Sequence, residues 1–324
     1  MNHFLLLLSS YVLFTVPSGL TYKERTNPET QSEELGAVSW YRNYKTATQA
    51  SAEKGKPILI LFQEVPGCAT CRNYGNNVLR NPLMVEAIED LFIPLVIFNN
   101  KGGEDRITLN QFNEPSWNNP VVRIVDEEGG NLVKRVAGNY SAKGLYKAMQ
   151  TALINQNQLI PEYFNLLGKE LSASNNLKED YYKMYCFWSG EKHLGAKDGV
   201  IKTESGFMNG YEVVKVTYDE NEIDKGALTS YAKKGNILPI SEDGYRFSGK
   251  DHLFYLKRTN YQYLPLSDLQ KTKINSALGS GFRAEKYLSP KQLEWLKELN
   301  NPSTERKTLW DQDIASAWKE KNQG

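Results

Sequence analysis

The sequence predicts an α/β protein of two units, an open-sheet unit followed by a smaller α+β unit. Three observations carry that expectation. The chain has 324 residues, more than one ordinary domain needs and enough for two cores. Residues 58–62 read Ile-Leu-Ile-Leu-Phe, the unbroken apolar pattern of a short strand covered on both faces in the middle of a parallel sheet. A Pro66-Gly67 turn then leads to Cys68 and Cys71 where a helix should begin.

That placement has chemical consequences. A thiolate at a helix N-terminus faces unpaired backbone N–H groups and the positive end of the helix dipole, so its pKa falls. The three-residue spacing brings the second sulfur within one turn, close enough to form a disulfide with little backbone movement. Cys68 is then the exposed attacking thiol and Cys71 the sheltered one that resolves the mixed disulfide. The same two residues also read as half of a structural zinc site. Such a site normally takes four ligands, and the chain offers only Cys186, His193, His252 and His3 to complete it.

Taken in order, residues 1–20 carry an apolar run from Phe4 to Val16 that ends at Pro17-Ser18-Gly19. The run is short for a bilayer span and matches a signal-peptide core, although His3 is its only basic side chain. A buried N-terminal strand or an uncleaved anchor fits the same residues. With a signal peptide the protein is exported, to a periplasm or the extracellular space, and no later segment predicts stable membrane insertion. Residues 21–35 are polar and read as a solvated linker. A helix is expected over residues 44–54, ended by Gly55 and Pro57. The helix after the cysteines should stop near Arg80. Asn81-Pro82 supplies an N-cap and a first-turn proline for another helix to about Asp90. Residues 92–98 form the next buried strand, weakened at its start by Pro94. After a polar loop come a strand over 121–125, a turn over 126–130, a return strand over 132–136 and a helix over 142–154. The first unit thus spans 36–156. A connecting helix occupies the 157–177 segment, with Leu166, Leu167 and Leu171 on one face. The second unit spans 178–300 and a tail helix 301–324.

The 65–72 stretch, Val65-Pro66-Gly67-Cys68-Ala-Thr-Cys71-Arg72, resembles the thioredoxin superfamily, in the branch that places Val-Pro-Gly before a redox cysteine or selenocysteine. The resemblance implies a thioredoxin-like first unit and thiol–disulfide oxidoreductase activity. It also implies a cis-proline facing the sulfurs and holding the substrate backbone. Pro120 stands at that place in the order of elements, with an ordinary trans turn as the alternative. Many thioredoxins carry a buried aspartate six residues before the first cysteine. Phe62 stands there instead, leaving Glu64 as the candidate for proton handling at Cys71.

Further on, Cys186-Phe187-Trp188-Ser-Gly-Glu191, Gly199-Val200, Glu212-Val213-Val214-Lys-Val216-Thr-Tyr218-Asp219 and Asp251-His252-Leu-Phe-Tyr255-Leu256 resemble class A peptide methionine sulfoxide reductases. That resemblance implies Cys186 as a nucleophile toward the sulfoxide sulfur, Phe187 and Trp188 as a pocket for the S-methyl group, and Glu212 as the acid that protonates the departing oxygen. Glu191 reads as structural. The likeness is partial. The family's long insert before Glu-Val-Val is missing, as are its C-terminal recycling cysteines, and Tyr211, Tyr255 or Tyr261 would have to supply a missing hydroxyl. A buried, inert Cys186 is the competing reading.

The remaining pattern gives a helix over 222–234, a strand near 244–247, helices over 267–278 and 290–299, and an amphipathic tail with Trp310, Ile314 and Trp318 on one face. Basic and acidic residues nearly cancel, 39 against 38, and no basic-aromatic stripe appears, so no nucleic-acid partner is expected. The expected function is an exported thiol–disulfide oxidoreductase that takes an oxidised protein or peptide, needs an external electron donor and no cofactor or metal, and recycles Cys186 with its cysteine pair. A self-contained methionine sulfoxide reductase and a reductase with a non-catalytic client-binding unit are the alternatives.

Overall fold

The structure is a computed structural model that describes residues 25–173 and 176–323. The expected signal peptide lies outside the described residues. Where a solvated linker is expected, residues 25–35 instead lie against the first unit. The Thr26 N–H donates to the Trp40 carbonyl, and Glu34 and Leu35 are each 2% exposed. Leu35, Val38 and Trp40 belong to the core, and the polar residues before them are drawn onto the body with them.

The first unit runs α1 Tyr44–Lys54, β1 Ile58–Gln63, α2 Ala69–Asn77, α3 Pro82–Leu91, β2 Ile93–Phe98, α4 Glu104–Gln111, β3 Val121–Val125, β4 Val136–Ala137 and α5 Ala142–Asn155. The sheet order is β2-β1-β3-β4. β1 is parallel to β2 and antiparallel to β3, and every residue of β1 is buried. Its alternating side chains explain the need for apolar residues on both faces. Leu59 and Leu61 meet α2, α3 and α5. Ile58, Ile60 and Phe62 meet Ala47, Ala50 and Leu109 of α1 and α4. Asn81 caps α3 as expected, accepting from the Met84 N–H at 3.1 Å. The sequence alone leaves α4 as polar loop, because its surface is mostly polar and only a narrow face, including Thr108 and Leu109, is buried. The return strand is shorter than expected: Val136 and Ala137 pair with β3, and Asn131 adds a single isolated bridge to Val125.

The second unit follows α6 Glu162–Ala173 and comprises β5 Leu177–Met184, α7 Phe187–Ala196, β6 Val200–Met208, β7 Tyr211–Asp219, α8 Lys225–Lys234, β8 Leu238–Ile240, β9 Arg246–Phe247, α9 Asp268–Gly279, α10 Pro290–Glu298 and α11 Ile314–Gln323. Its sheet is antiparallel, in the order β8-β5-β7-β6-β9. Asn209 and Gly210 both have positive φ, 52° and 79°, forming the two-residue turn that suits a twisted hairpin. This hairpin joins β6 to β7 directly.

The connecting helix α6 is shared by the two units. Tyr163, Phe164 and Leu167 enter the first core, while Leu166 packs with Ile201 and Leu269 of the second unit. The tail helix α11 also bridges: Ile314 rests on the first core and Trp318 lies 4.8 Å from Trp295. Two half-buried carboxylates reinforce this arrangement. Glu86 on α3 accepts the Lys291 N–H at 2.8 Å, and Glu170 on α6 accepts the Leu269 N–H at 3.0 Å. Each thus serves the open N-terminus of a second-unit helix.

Burial pushes the Glu170 pKa up to about 7 despite that N–H. An unfolded glutamate titrates near 4.3, so the folded state binds the extra proton between the two values. Stability therefore falls as pH rises from about 4.5 to 7 and is flat above that. Glu170→Gln keeps the acceptor without the charge. It should raise stability at pH 8 by about 1–3 kcal/mol and change little at pH 5; parallel urea titrations at the two pH values check this.

Candidate active site

β1 ends at Gln63 and the chain turns through Glu64 to Gly67 before α2 begins. Cys68 is the N-cap of α2 and is exposed, while Cys71, one turn into the helix, is buried. The sulfurs are 3.6 Å apart. Hydrogen bonding from the Cys71 N–H is the largest influence on Cys68, and outweighs slight burial with help from the Cys71 thiol and Thr70, holding its pKa below the ordinary thiol value. Burial, then the nearby Cys68 sulfur as hydrogen-bond partner and charge, pushes Cys71 up to about 12. The two thiols are therefore differentiated as their positions predict.

The Asn119–Pro120 peptide is cis, in agreement with the expectation for Pro120. The Cys71 thiol donates to Asn119 Oδ1 at 2.6 Å, so the loop before β3 does face the pair. Asn119 is a site residue that the sequence did not single out, although its place next to Pro120 was the available signal. The Val65–Pro66 peptide is also cis, and Asn100 exchanges hydrogen bonds with both polar groups of the Val65 backbone at 3.3 Å.

The position expected to hold a buried acid is filled by Phe62, which points into the opposite core against Phe112. Under α2 lies Gln63 instead, whose amide donates to the Glu34 and Cys71 carbonyls at 2.9 and 3.3 Å. It carries no exchangeable charge. A carboxylate oxygen of Glu64 lies within 4.8 Å of both sulfurs. Glu64, Cys68 and Cys71 form a three-donor group suited to a thiophilic ion. Of the other ligands the sequence offers a structural zinc site, Cys186 starts a second-unit helix, His193 stacks on Tyr231, His252 is paired with Glu191, and His3 lies outside the described residues.

In the second unit Cys186 is the N-cap of α7 and is half-buried, just after β5. Glu212, opposite Met184 across the β5–β7 ladder, accepts the Phe187 N–H at 2.8 Å. The fold thus brings Glu212 beside Cys186, at the positive end of α7. Of the three tyrosines, Tyr255 is the one that lies near Cys186: burial first, and then the neighbouring Cys186, raise its pKa. Tyr261 is in a separate core, and Tyr211 lies under Lys183.

Phe187 and Trp188, expected to line a pocket for the S-methyl group, are not among the residues that line the cleft beside Cys186. That cleft, of about 400 Å³, is lined by Tyr185, Ser189, Lys192, His193 and Asn236 among others. Phe187 is 4% exposed and meets Phe207 edge-on, because the first position of α7 turns toward the sheet. Trp188 turns the other way and stacks on Phe254 at 3.8 Å. Glu191 is structural, as expected: it is fully buried and binds His252 Nδ1 at 2.7 Å and the Leu253 N–H at 2.9 Å. The hydrogen bonds that join the two units run through Glu86, Lys169 and Glu170. Among the described residues none links the two cysteine sites.

Strand, turn and helix, with two thiols of opposite character facing an Asn-Pro loop, define a dithiol site on a three-layer sheet. Residues 39–127 match the family described as Thioredoxin-like, and the first unit is thioredoxin-like. The family match ends within that unit. Among solved structures, a chain titled DsbH Oxidoreductase is similar at 17% identity over 37% of this chain and 90% of that one, with a TM-score of 0.30. No curated protein matches the chain. No helix among the described residues is long and apolar enough to cross a membrane.

Proposed function

We propose that this protein is a thiol–disulfide oxidoreductase acting, after export, on oxidised proteins or peptides. The observation that supports this best is the pair itself: an exposed thiol of lowered pKa 3.6 Å from a buried thiol of raised pKa. The Cys68 thiolate attacks one sulfur of a client disulfide, and the other client sulfur leaves as a thiol. Cys71 then attacks Cys68 Sγ, forming the Cys68–Cys71 bond and releasing the second client thiol. Two electrons pass to the client, and an external donor must return them. Pro120 is assigned to the client backbone beside this bond.

Glu64, with an oxygen within 4.8 Å of both sulfurs, is assigned to take the Cys71 proton and give it to the leaving client thiolate. Glu64→Gln should lengthen the life of the mixed disulfide by roughly tenfold to a hundredfold and leave the Cys68 attack unchanged. Acid-quenched mass spectrometry against a peptide disulfide measures both steps. An unchanged lifetime would remove Glu64 from the mechanism.

Glu212 and Tyr255 at Cys186 favour a second reading, in which the second unit reduces methionine sulfoxide. Cys186 would attack the sulfoxide sulfur, Glu212 would protonate the oxygen, and the thioether would leave with the sulfur reduced and Cys186 a sulfenic acid. Cys68 would then condense with it, releasing water, and Cys71 would free Cys186 as the internal disulfide forms. The test exposes the reduced protein to dilute methyl sulfoxide. A Cys68–Cys71 disulfide that forms only with substrate and only when Cys186 is present supports the relay. Identical oxidation states in wild type and Cys186→Ser would leave the second unit as a client-binding module.

A further inference from the structure

We propose that Glu34 is a positioning residue of the redox site, so that the segment before α1, as well as the loop after β1, holds Cys68 at the start of α2. This rests on Cys68 being the attacking thiol. Glu34 sits in a polar stretch yet is 2% exposed, and each part of it is engaged. One carboxylate oxygen accepts the Gly67 N–H at 2.7 Å and the other accepts the Ser32 hydroxyl. Its carbonyl accepts the Gln63 amide, which also reaches the Cys71 carbonyl.

Its neighbour makes a matching tie. Glu33 lies 3.4 Å from the Arg72 guanidinium and accepts from Asn76 at 3.0 Å, and Arg72 donates to the Gly67 carbonyl at 2.6 Å. Gly67, the residue immediately before Cys68, is therefore held at its N–H by Glu34 and at its carbonyl by an arginine anchored on Glu33. The segment passes so close to α2 that a β-carbon at Gly75 would stand 2.0 Å from the Glu33 carbonyl oxygen. A flexible linker brushing the surface would leave room there.

The acceptor persists at neutral pH. Burial resists ionisation of Glu34, but Ser32, the Gly67 N–H and Arg72 together hold its pKa below the usual carboxylate range. Cys71 is the titratable group that acts on Cys68, Glu64 has an oxygen within 4.8 Å of its sulfur, and Glu34, Arg72 and Glu33 are the charged groups at the Gly67 peptide before it. The Cys68 thiolate is stabilised by the Cys71 and Thr70 N–H groups only while Cys68 stays at the helix start. Releasing Gly67 lets it move away from them.

The experiment measures iodoacetamide alkylation of Cys68 against pH in the full chain, with thermal melting alongside, for Glu34→Ala, Glu34→Gln and Arg72→Ala. Glu34→Ala should move the Cys68 midpoint up toward that of an ordinary thiol and slow alkylation at pH 7 by about tenfold. Glu34→Gln, which keeps an acceptor, should restore most of the rate. Arg72→Ala tests the same tie from a partly exposed side chain without disturbing the buried acid, and should shift the midpoint in the same direction. Wild-type midpoints and rates in both alanine variants would overturn the proposal, as would a slowing matched only by lost folding. Should the wild type reduce no client disulfide while Glu34→Ala still shifts Cys68, the oxidoreductase reading fails and the positioning role stands.

Discussion

Cys68→Ser is expected to abolish client disulfide reduction, a loss of roughly a thousandfold or more, while Cys71→Ser stops the reaction halfway. The two outcomes differ because the thiols differ in place rather than in kind. Cys68 is exposed at the N-cap of α2, where N–H groups of the first turn favour its thiolate. Its alkylation rate should rise with pH and level off below the ordinary thiol pKa. Cys71 is buried and held protonated up to about 12, so it cannot substitute as the first attacker. Without Cys71 the adduct on Cys68 has no internal sulfur to displace it. Mass spectrometry should then find a stable mixed disulfide of one client per chain in Cys71→Ser and none in Cys68→Ser. Accumulation of the adduct on Cys71 would reverse the assignment.

Glu191→Ala should be the most damaging single change in the second unit, costing about 3–5 kcal/mol. Glu191 is fully buried, and its two oxygens bind the His252 ring and the Leu253 N–H. Removing the acid leaves two buried donors without an acceptor and a gap between α7 and the 251–256 turn. Glu191→Gln retains one acceptor and should cost less. Hydrogen exchange localises the effect: amides of α7 and of residues 252–256 should lose protection, while β1 and α2 keep theirs. Uniform loss of protection across both units would instead make Glu191 part of a single cooperative body. Cys68 alkylation should be unchanged, since no hydrogen bond links the two cysteine sites among the described residues.

The amino-acid sequence by itself determined the elements whose pattern is local and strong. The unbroken apolar run of β1, the Asn81 cap with Pro82, and the Ser289-Pro290 helix start were legible because each is set by near neighbours. So was the contrast between Cys68 and Cys71, which follows from their places along one helix. Only the tertiary structure decided the rest. α4 has too narrow an apolar face to declare itself, and residues 25–35 look solvated because their partners, Gly67, Arg72 and Gly75, lie 33 residues or more away in sequence. Phe187 and Trp188 could be assigned to a helix start but not to a direction. α7 turns one toward the sheet and the other toward Phe254, a choice made by which surfaces pack behind it. Glu212 is 26 residues from Cys186 in sequence and meets the same helix N-terminus only because β5 and β7 are paired. Side-chain chemistry and local backbone preference are written residue by residue. A site assembled from distant segments depends on the sheet register and helix packing that bring those segments together.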